Sequence, residues 1–213
     1  MFLRLFPLQA VVLYPGMPLP LNVFEPRYVQ LMRECREAEE PFGVVLLEEG
    51  AEVGPNDTDP FRVGTTADIQ KVIEGGGRLS VSSVGGQRFS VLSFIHDYPY
   101  LAAEVDIIED ASASLVEPSL IANVKEDAID FVRTLMTLGG GFVRDVAFPE
   151  DPTELSYHVA QLFHGNRRVQ QTLLERDTYD RLWDELSLIK SAKEQLAKRG
   201  EHLSGPGSTF SRN

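Results

Sequence analysis

From residue 1 to about residue 110 the apolar positions come in short runs: Phe2 to Phe6, Val11 to Tyr14, Leu19 to Phe24, Phe42 to Leu47, Val63 to Ile73, Leu79 to Ile95 and Leu101 to Ile108. Pro7, Pro15-Gly16 and Pro18 separate the first three, which reads as short strands at edges, bends or strand ends. The stretch from Arg78 to Phe94 alternates with period two, so it predicts a strand with one buried face, broken by Gly85-Gly86 at a bulge or bend. Gly75-Gly76-Gly77 lies between Ile73 and Leu79 and suits a hairpin turn. One helix interrupts the strands: Tyr28, Leu31, Met32 and Cys35 fall on one face after Pro26, and Pro41 ends it.

From Pro118 onward the period lengthens to that of a helix. Ile121, Val124, Ala128, Phe131, Val132, Leu135 and Leu138 form one stripe, closed by Gly139-Gly140-Gly141. Asp151-Pro152-Thr153-Glu154 has the form of a capping box before Leu155, Val159, Leu162 and Phe163. Asn166 is placed to cap a short helix with Val169, Leu173 and Leu174, and Asp177 to start a last one with Tyr179, Leu182, Trp183, Leu186 and Ile189 inward, stopped by Gly200. The predicted class is α+β: a twisted β-sheet or pseudo-barrel with one helix over residues 1–115, an α-helical bundle over 116–200, and a flexible polar tail over 201–213.

Composition removes several functions. With 20 Lys and Arg against 32 Asp and Glu the net charge is −12, most of it within residues 1–116, which repels phosphate backbones and anionic membrane. A single cysteine allows no internal disulfide and no multi-cysteine metal site, which fits a reducing compartment. The apolar N-terminus is interrupted by Arg4, Pro7, Gln9 and Pro15 and lacks a small-residue cleavage site, so no signal peptide or membrane span is expected and the location is expected to be cytoplasmic. Asn56-Asp57-Thr58 has the form of a glycosylation sequon, which on that expectation is accidental.

Candidate chemistry is sparse. Glu25-Pro26-Arg27-Tyr28 combines an acid, a base and a phenol, but proline suits the first helical position and Glu25 the positive end of the helix dipole. With Phe24 and Val29 spaced as a hydrophobic staple and Arg27 in reach of Glu25, the stretch reads as a structural corner. Cys35 lies on an apolar face and reads as a buried thiol. Among His96, His158, His164 and His202 no pair has metal-ligand spacing on one helix face. The glycine triplets lack the Gly-Lys-Ser/Thr of a phosphate-binding loop, and no nucleophile elbow is present, so no catalytic residue, metal or cofactor is expected. Arg167-Arg168 stands where a helix start ordinarily carries acids; it reads as solvated surface, with an exposed contact as the alternative.

The order of motifs carries more. Leu5-Phe6-Pro7-Leu8, the run Val12 to Leu21 with Tyr14-Pro15-Gly16-Met17-Pro18, and Phe24-Glu25-Pro26-Arg27-Tyr28 with Leu31-Met32 resemble the N-terminal substrate-binding domain of the Lon protease family. Gly64-Thr65-Thr66-Ala67-Asp68-Ile69, Gly77-Arg78-Leu79 and Val84 to Phe89 resemble its second block, and Asp151 to Leu155, Gln170 to Glu175 and Arg181-Leu182 its closing helices; His164 to Arg168 departs from it, reversing the charge of a loop.

The resemblance implies a PUA-like β-structure joined to a helical bundle and recognition of unfolded or tagged polypeptides, or of a protease or chaperone partner, with self-association open. Without a phosphate-binding loop or Ser-Lys dyad, neither ATP hydrolysis nor proteolysis is expected. Capture by an exposed strand edge or by a groove at the join of the two halves would engage Met17, Leu19, Leu21 and Phe24. Two alternatives stand beside it: a small-molecule hydrolase-type enzyme using His96, Asp97 or Tyr98, and an RNA-binding PUA-like protein, which the negative charge disfavours.

Overall fold

The computed structural model describes residues 1–47, 60–141 and 145–203. The sequon at Asn56 and the tail beyond residue 203 lie outside the described residues. The fold is α+β, with six strands and five α-helices among the described residues.

The strands are β1 (Phe2–Leu8), β2 (Pro18–Val23), β3 (Phe42–Leu46), β4 (Val63–Gly75), β5 (Arg78–Ile95) and β6 (Ala102–Ile107). β1 runs parallel to β3, with Leu5 opposite Gly43, and antiparallel to β6, with Phe2 opposite Glu104. β3 pairs with β4, β4 with β5, and the second half of β5 with β6, so β1, β3, β4, β5 and β6 close into a ring. Closure gives those strands partners on both sides over the paired stretch. The first half of β5 leaves the ring in a three-stranded ribbon with β4 and β2, Val23 opposite Leu79 and Pro18 opposite Val84.

The glycines do what their spacing predicts. Gly76 and Gly77, with φ of 60° and 75°, form the two-residue turn of the β4–β5 hairpin. The register slips between Arg88 and Gly85 opposite Thr65 and Ala67, a bulge at the point where β5 passes from ribbon to ring. Gly85 there lies against the preceding loop: a Cβ would stand 2.1 Å from the Tyr14 carbonyl oxygen. The run Val11 to Tyr14, expected to be a strand, is instead this loop, although Val12, Leu13 and Tyr14 are core residues. Its apolar content reflects burial, not pairing.

Helix α1 (Pro26–Ala38) buries Val29, Leu31, Met32 and Cys35 against Phe6, Phe42, Leu79 and Val81. Its last turn ends at Glu39, with φ of 56°, two residues before Pro41. A second cluster, Leu3, Leu5, Val45, Phe89, Val91, Ala103 and Val105, comes entirely from ring strands.

Four helices follow: α2 (Pro118–Leu138), α3 (Pro152–Ala160), α4 (Arg167–Glu175) and α5 (Thr178–Leu203). The Asp151 carboxylate accepts from the amides of Thr153 and Glu154, both at 2.9 Å, and the Asn166 side chain accepts from the Val169 amide at 3.1 Å. Leu120, Val124, Ala128 and Phe131 pack on Leu155, Val159, Leu182, Leu186 and Ile189. Three details differ from the sequence reading. The α2 stripe is buried only as far as Phe131, leaving Leu135 and Leu138 exposed. Tyr179 and Trp183 face outward, because α5 buries Thr178, Arg181, Leu182, Glu185, Leu186 and Ile189. Gly200 does not end α5, which continues to Leu203.

The close approach at Gly85 yields a paired test. Gly85→Ala should destabilise the protein by at least about 1–3 kcal/mol, since backbone must move. Gly75→Ala, where nothing lies within 4 Å of the new Cβ, should be neutral or stabilise by up to about 1 kcal/mol. Urea unfolding of both variants checks the contrast.

Candidate functional site

The corner between β2 and α1 is built largely as its residues suggest. Glu25 occupies the cap position with extended backbone and Pro26 the first helical position. The Glu25 carboxylate makes no cap; it accepts from Arg27 Nε at 3.0 Å and Nη2 at 2.9 Å. The Arg27 guanidinium lies 4.7 Å from the centre of the Tyr28 ring, which packs on Phe6 at 4.6 Å. Burial pushes the Tyr28 phenol above its ordinary range. The staple does not form. Val29 is buried, but Phe24 is 63% exposed, with Arg78 6.0 Å from its ring centre.

This corner is one wall of an open groove of about 310 Å³. The end of β1 and the residues after it, Phe6 to Val11, form the other wall, with Val23, Phe24 and Tyr28 facing them and Gln9, Asn22 and Glu25 as polar lining. Of the four residues singled out for binding, Phe24 lines this groove. Leu19 is a core residue, and Met17 and Leu21 are half-buried against the same core.

β2 lies at one end of the strand order, so one of its edges has no strand partner among the described residues. The Gly85 amide donates to the Met17 carbonyl at 2.9 Å and the Gly16 amide to the Gly85 carbonyl at 2.8 Å. Alternation along an antiparallel ladder then turns the backbone groups of Leu19, Leu21 and Val23 toward β5, and those of Pro18, Pro20 and Asn22 outward. Two of those three outward positions have no N–H to offer.

The other candidates are dispersed. His96, Asp97 and Tyr98 lie exposed in the β5–β6 connection, Tyr98 stacked on Tyr100 at 5.6 Å, and none of them lines the grooves described here. Cys35 is fully buried, and burial pushes its thiol up to about 11. The exposed His158 ring sits 2.8 Å from the Glu154 carbonyl in its own helix. Among the described residues no group of three or more His, Cys, Asp or Glu is placed to hold a metal ion, and no helix is long and apolar enough to cross a membrane.

The densest polar chemistry joins the strands to the helices. Asp110, in the connector after β6, receives Arg88 of β5 at 2.8 Å, Arg181 of α5 at 3.0 Å and the Thr178 hydroxyl at 2.8 Å on one oxygen, and the Tyr157 hydroxyl on the other. Arg88 also donates to the carbonyls of Leu174 and Arg176, and Arg181 to those of Leu173 and Arg176 and to the Ser156 hydroxyl. Burial pushes the Asp110 carboxyl up, but the Tyr157 hydrogen bond and the charges of Arg181 and Arg88 outweigh it and hold the group below its ordinary range. Both Nη atoms of Arg88 and both oxygens of Asp110 are engaged in structural hydrogen bonds, and only Arg88 Nε is left without a partner.

Nearby, Glu185 of α5 is fully buried with neither oxygen hydrogen-bonded. Burial raises its carboxyl well above the ordinary range despite Arg181 one turn away, which favours the neutral form. Sequence reasoning missed this cluster. The available signal was Arg181 and Glu185, four apart, beside the apolar stripe of Leu182, Leu186 and Ile189.

Comparison with known proteins places the whole arrangement. A family model for the ATP-dependent protease La (LON) substrate-binding domain matches residues 3–191. Lon protease of Anaeromyxobacter dehalogenans is 28% identical over 205 residues, covering 91% of this chain and 24% of the relative. Lon protease 2 of Myxococcus xanthus is 28% identical over the same length with the same coverage. The chain thus spans about a quarter of the length of these relatives. A crystal structure of a Lon N-terminal domain protein from Xanthomonas campestris superposes with a TM-score of 0.64 at 27% identity, covering 88% of this chain and 98% of that one. The N-terminal domain of Mycobacterium avium complex Lon protease superposes at 0.63 with 14% identity, covering 89% and 98%, and shares the fold.

Asp110→Ala leaves two buried guanidinium groups without a counter-charge and should cost about 3–5 kcal/mol in urea unfolding. The two carboxyls should give opposite pH trends. The stabilisation from Asp110 is fully present above its unfolded value of about 3.9 and is lost as pH falls through the lower folded value. That from protonated Glu185 is fully present below about pH 4.3 and is lost as pH rises through the higher folded value. Glu185→Gln should therefore abolish the decline in thermal midpoint on the high-pH side and keep the acid limb. A high-pH limb unchanged in that variant would refute the neutral assignment.

Proposed function

The chain belongs to the LON substrate-binding domain family, and on that premise we propose that it is a non-catalytic recognition module for polypeptides, a PUA-like barrel joined to a helical bundle, with a regulatory or adaptor role in protein quality control. The observation that carries the reading is the groove between the end of β1 and the β2–α1 corner, with the largely exposed Phe24 in its lining. An exposed aromatic ring over an apolar cleft is a ready contact for a bulky side chain.

Physical chemistry favours capture by side chains over strand addition. An incoming strand on the open edge of β2 would meet Pro18 and Pro20, and so would lose two of three backbone donors. The groove asks nothing of the ligand's backbone beyond what Gln9 and Asn22 can bond. Unfolded segments present such apolar side chains, and folded proteins bury them. The hydrolase alternative has no support in the placement of His96, Asp97 and Tyr98, which are exposed and line neither groove described above. Protease activity is a property named for the longer relatives, and the reading does not transfer it.

Fluorescence anisotropy with a labelled, permanently unfolded polypeptide tests the reading. Saturable binding is expected, weakened about tenfold by Phe24→Ser, a loss of about 1.4 kcal/mol, and unaffected by N-methylation of the ligand's backbone. Absence of saturable binding would overturn the function. Loss of binding on N-methylation would overturn the side-chain mode alone.

A further inference from the structure

Arg168, in the first turn of α4, lies beside a second cleft. This cleft, about 300 Å³, runs between α4 and α5 and is lined by Arg168, Val169, Thr172, Leu173, Asp184, Ser187 and Leu188. Val169, Leu173 and Leu188 make its lining mainly apolar. Arg168 stands at one end, with its guanidinium 5.4 Å from the centre of the Phe61 ring. A smaller hollow lined by Leu46, Leu47, Phe61, Arg167 and Arg168 adjoins it through Arg168. Asp184, at the other end, is paired with Arg176 at 3.0 Å, so its charge is answered within the chain. The acidic end is thus neutralised and the basic end is reinforced by the positive pole of α4.

From this geometry we propose that the α4–α5 cleft is a second peptide-binding site, for segments with a bulky aliphatic or aromatic residue next to an acidic one. The apolar side chain fills the space over Val169, Leu173 and Leu188, and its acidic neighbour meets Arg168. Charge complementarity chooses the occupant. In a chain of net charge −12, an acidic peptide is repelled by most of the surface and attracted at the start of α4. A volume of about 300 Å³ suits one or two large side chains, not a folded surface. In the β1–β2 groove the one charged lining residue, Glu25, is answered by Arg27 at 2.9 Å, so only the α4–α5 cleft offers a cation to an acidic neighbour. This site stands apart from the first: it keeps its ligand even if the β1–β2 groove binds nothing.

The test uses the full chain and two fluorescein-labelled peptides of equal length, each with a central Leu-Phe pair, one flanked by Glu and the other by Lys. The Glu-flanked peptide should bind more tightly than the Lys-flanked one. Arg168→Glu should weaken it about tenfold, Arg168→Lys should weaken it less, and Phe24→Ser should leave it unchanged. Equal affinity for both peptides, or no response to Arg168→Glu in a variant whose thermal midpoint is intact, would overturn the proposal. Loss of acidic-peptide binding in Phe24→Ser would place that ligand in the other groove and overturn it equally.

Discussion

Two buried guanidinium groups meeting one carboxylate hold the strands and the helices of this protein together. The last turn of α4 ends against the ring of strands, where its carbonyl groups are shut away from water and need donors. Arg88 and Arg181 supply them to Leu173, Leu174 and Arg176, and Asp110 balances their charge. No neutral side chain carries enough donors in a fixed fork to serve three carbonyls and a carboxylate together. Around this centre Val12, Tyr14 and Leu46 pack on Tyr157, Ala160, Leu173 and Leu174, and the Tyr14 hydroxyl donates to the Gln170 carbonyl at 2.7 Å. Glu185, beside the same centre, has no such partner, and burial raises its carboxyl.

With that junction rigid, the surfaces available for recognition are those the strands and helices leave open. Ring closure uses up the backbone edges of most strands, and prolines guard the remaining edge of β2. On the proposed reading, ligands are held by side chains, in concave places where elements diverge. One such place lies where the end of β1 parts from the β2–α1 corner, the other where α4 and α5 diverge. Both are mainly apolar, and on the proposed reading Arg168 beside the second is what discriminates among flexible segments.

Much of this was legible in the chain. Period-two runs, the Gly75-Gly76-Gly77 turn, the Gly85-Gly86 bulge, the Pro26 corner and the caps at Asp151 and Asn166 are each set by a local rule, so each appears where its residues stand. The errors have one source. Val11 to Tyr14 was expected in a strand, Tyr179 and Trp183 in the core, and Phe24 in a staple, because apolarity tells that a residue prefers burial and not which neighbour will cover it. In α5 the choice went to Arg181 and Glu185, polar residues carried inside by the network around them.

The sequence by itself determined the class of fold, the order of strands before helices, the positions of turns and caps, and through its ordered motifs the family. These depend on interactions between residues close along the chain. Only the tertiary structure decided that Arg88, Asp110, Tyr157 and Arg181 converge, that Leu19 is core while Phe24 faces the groove, and that Arg168 stands at the mouth of an apolar cleft. Those facts, like the Tyr14–Gln170 contact, require residues 71 to 156 positions apart to be neighbours, and no local pattern encodes which distant partner satisfies a buried charge.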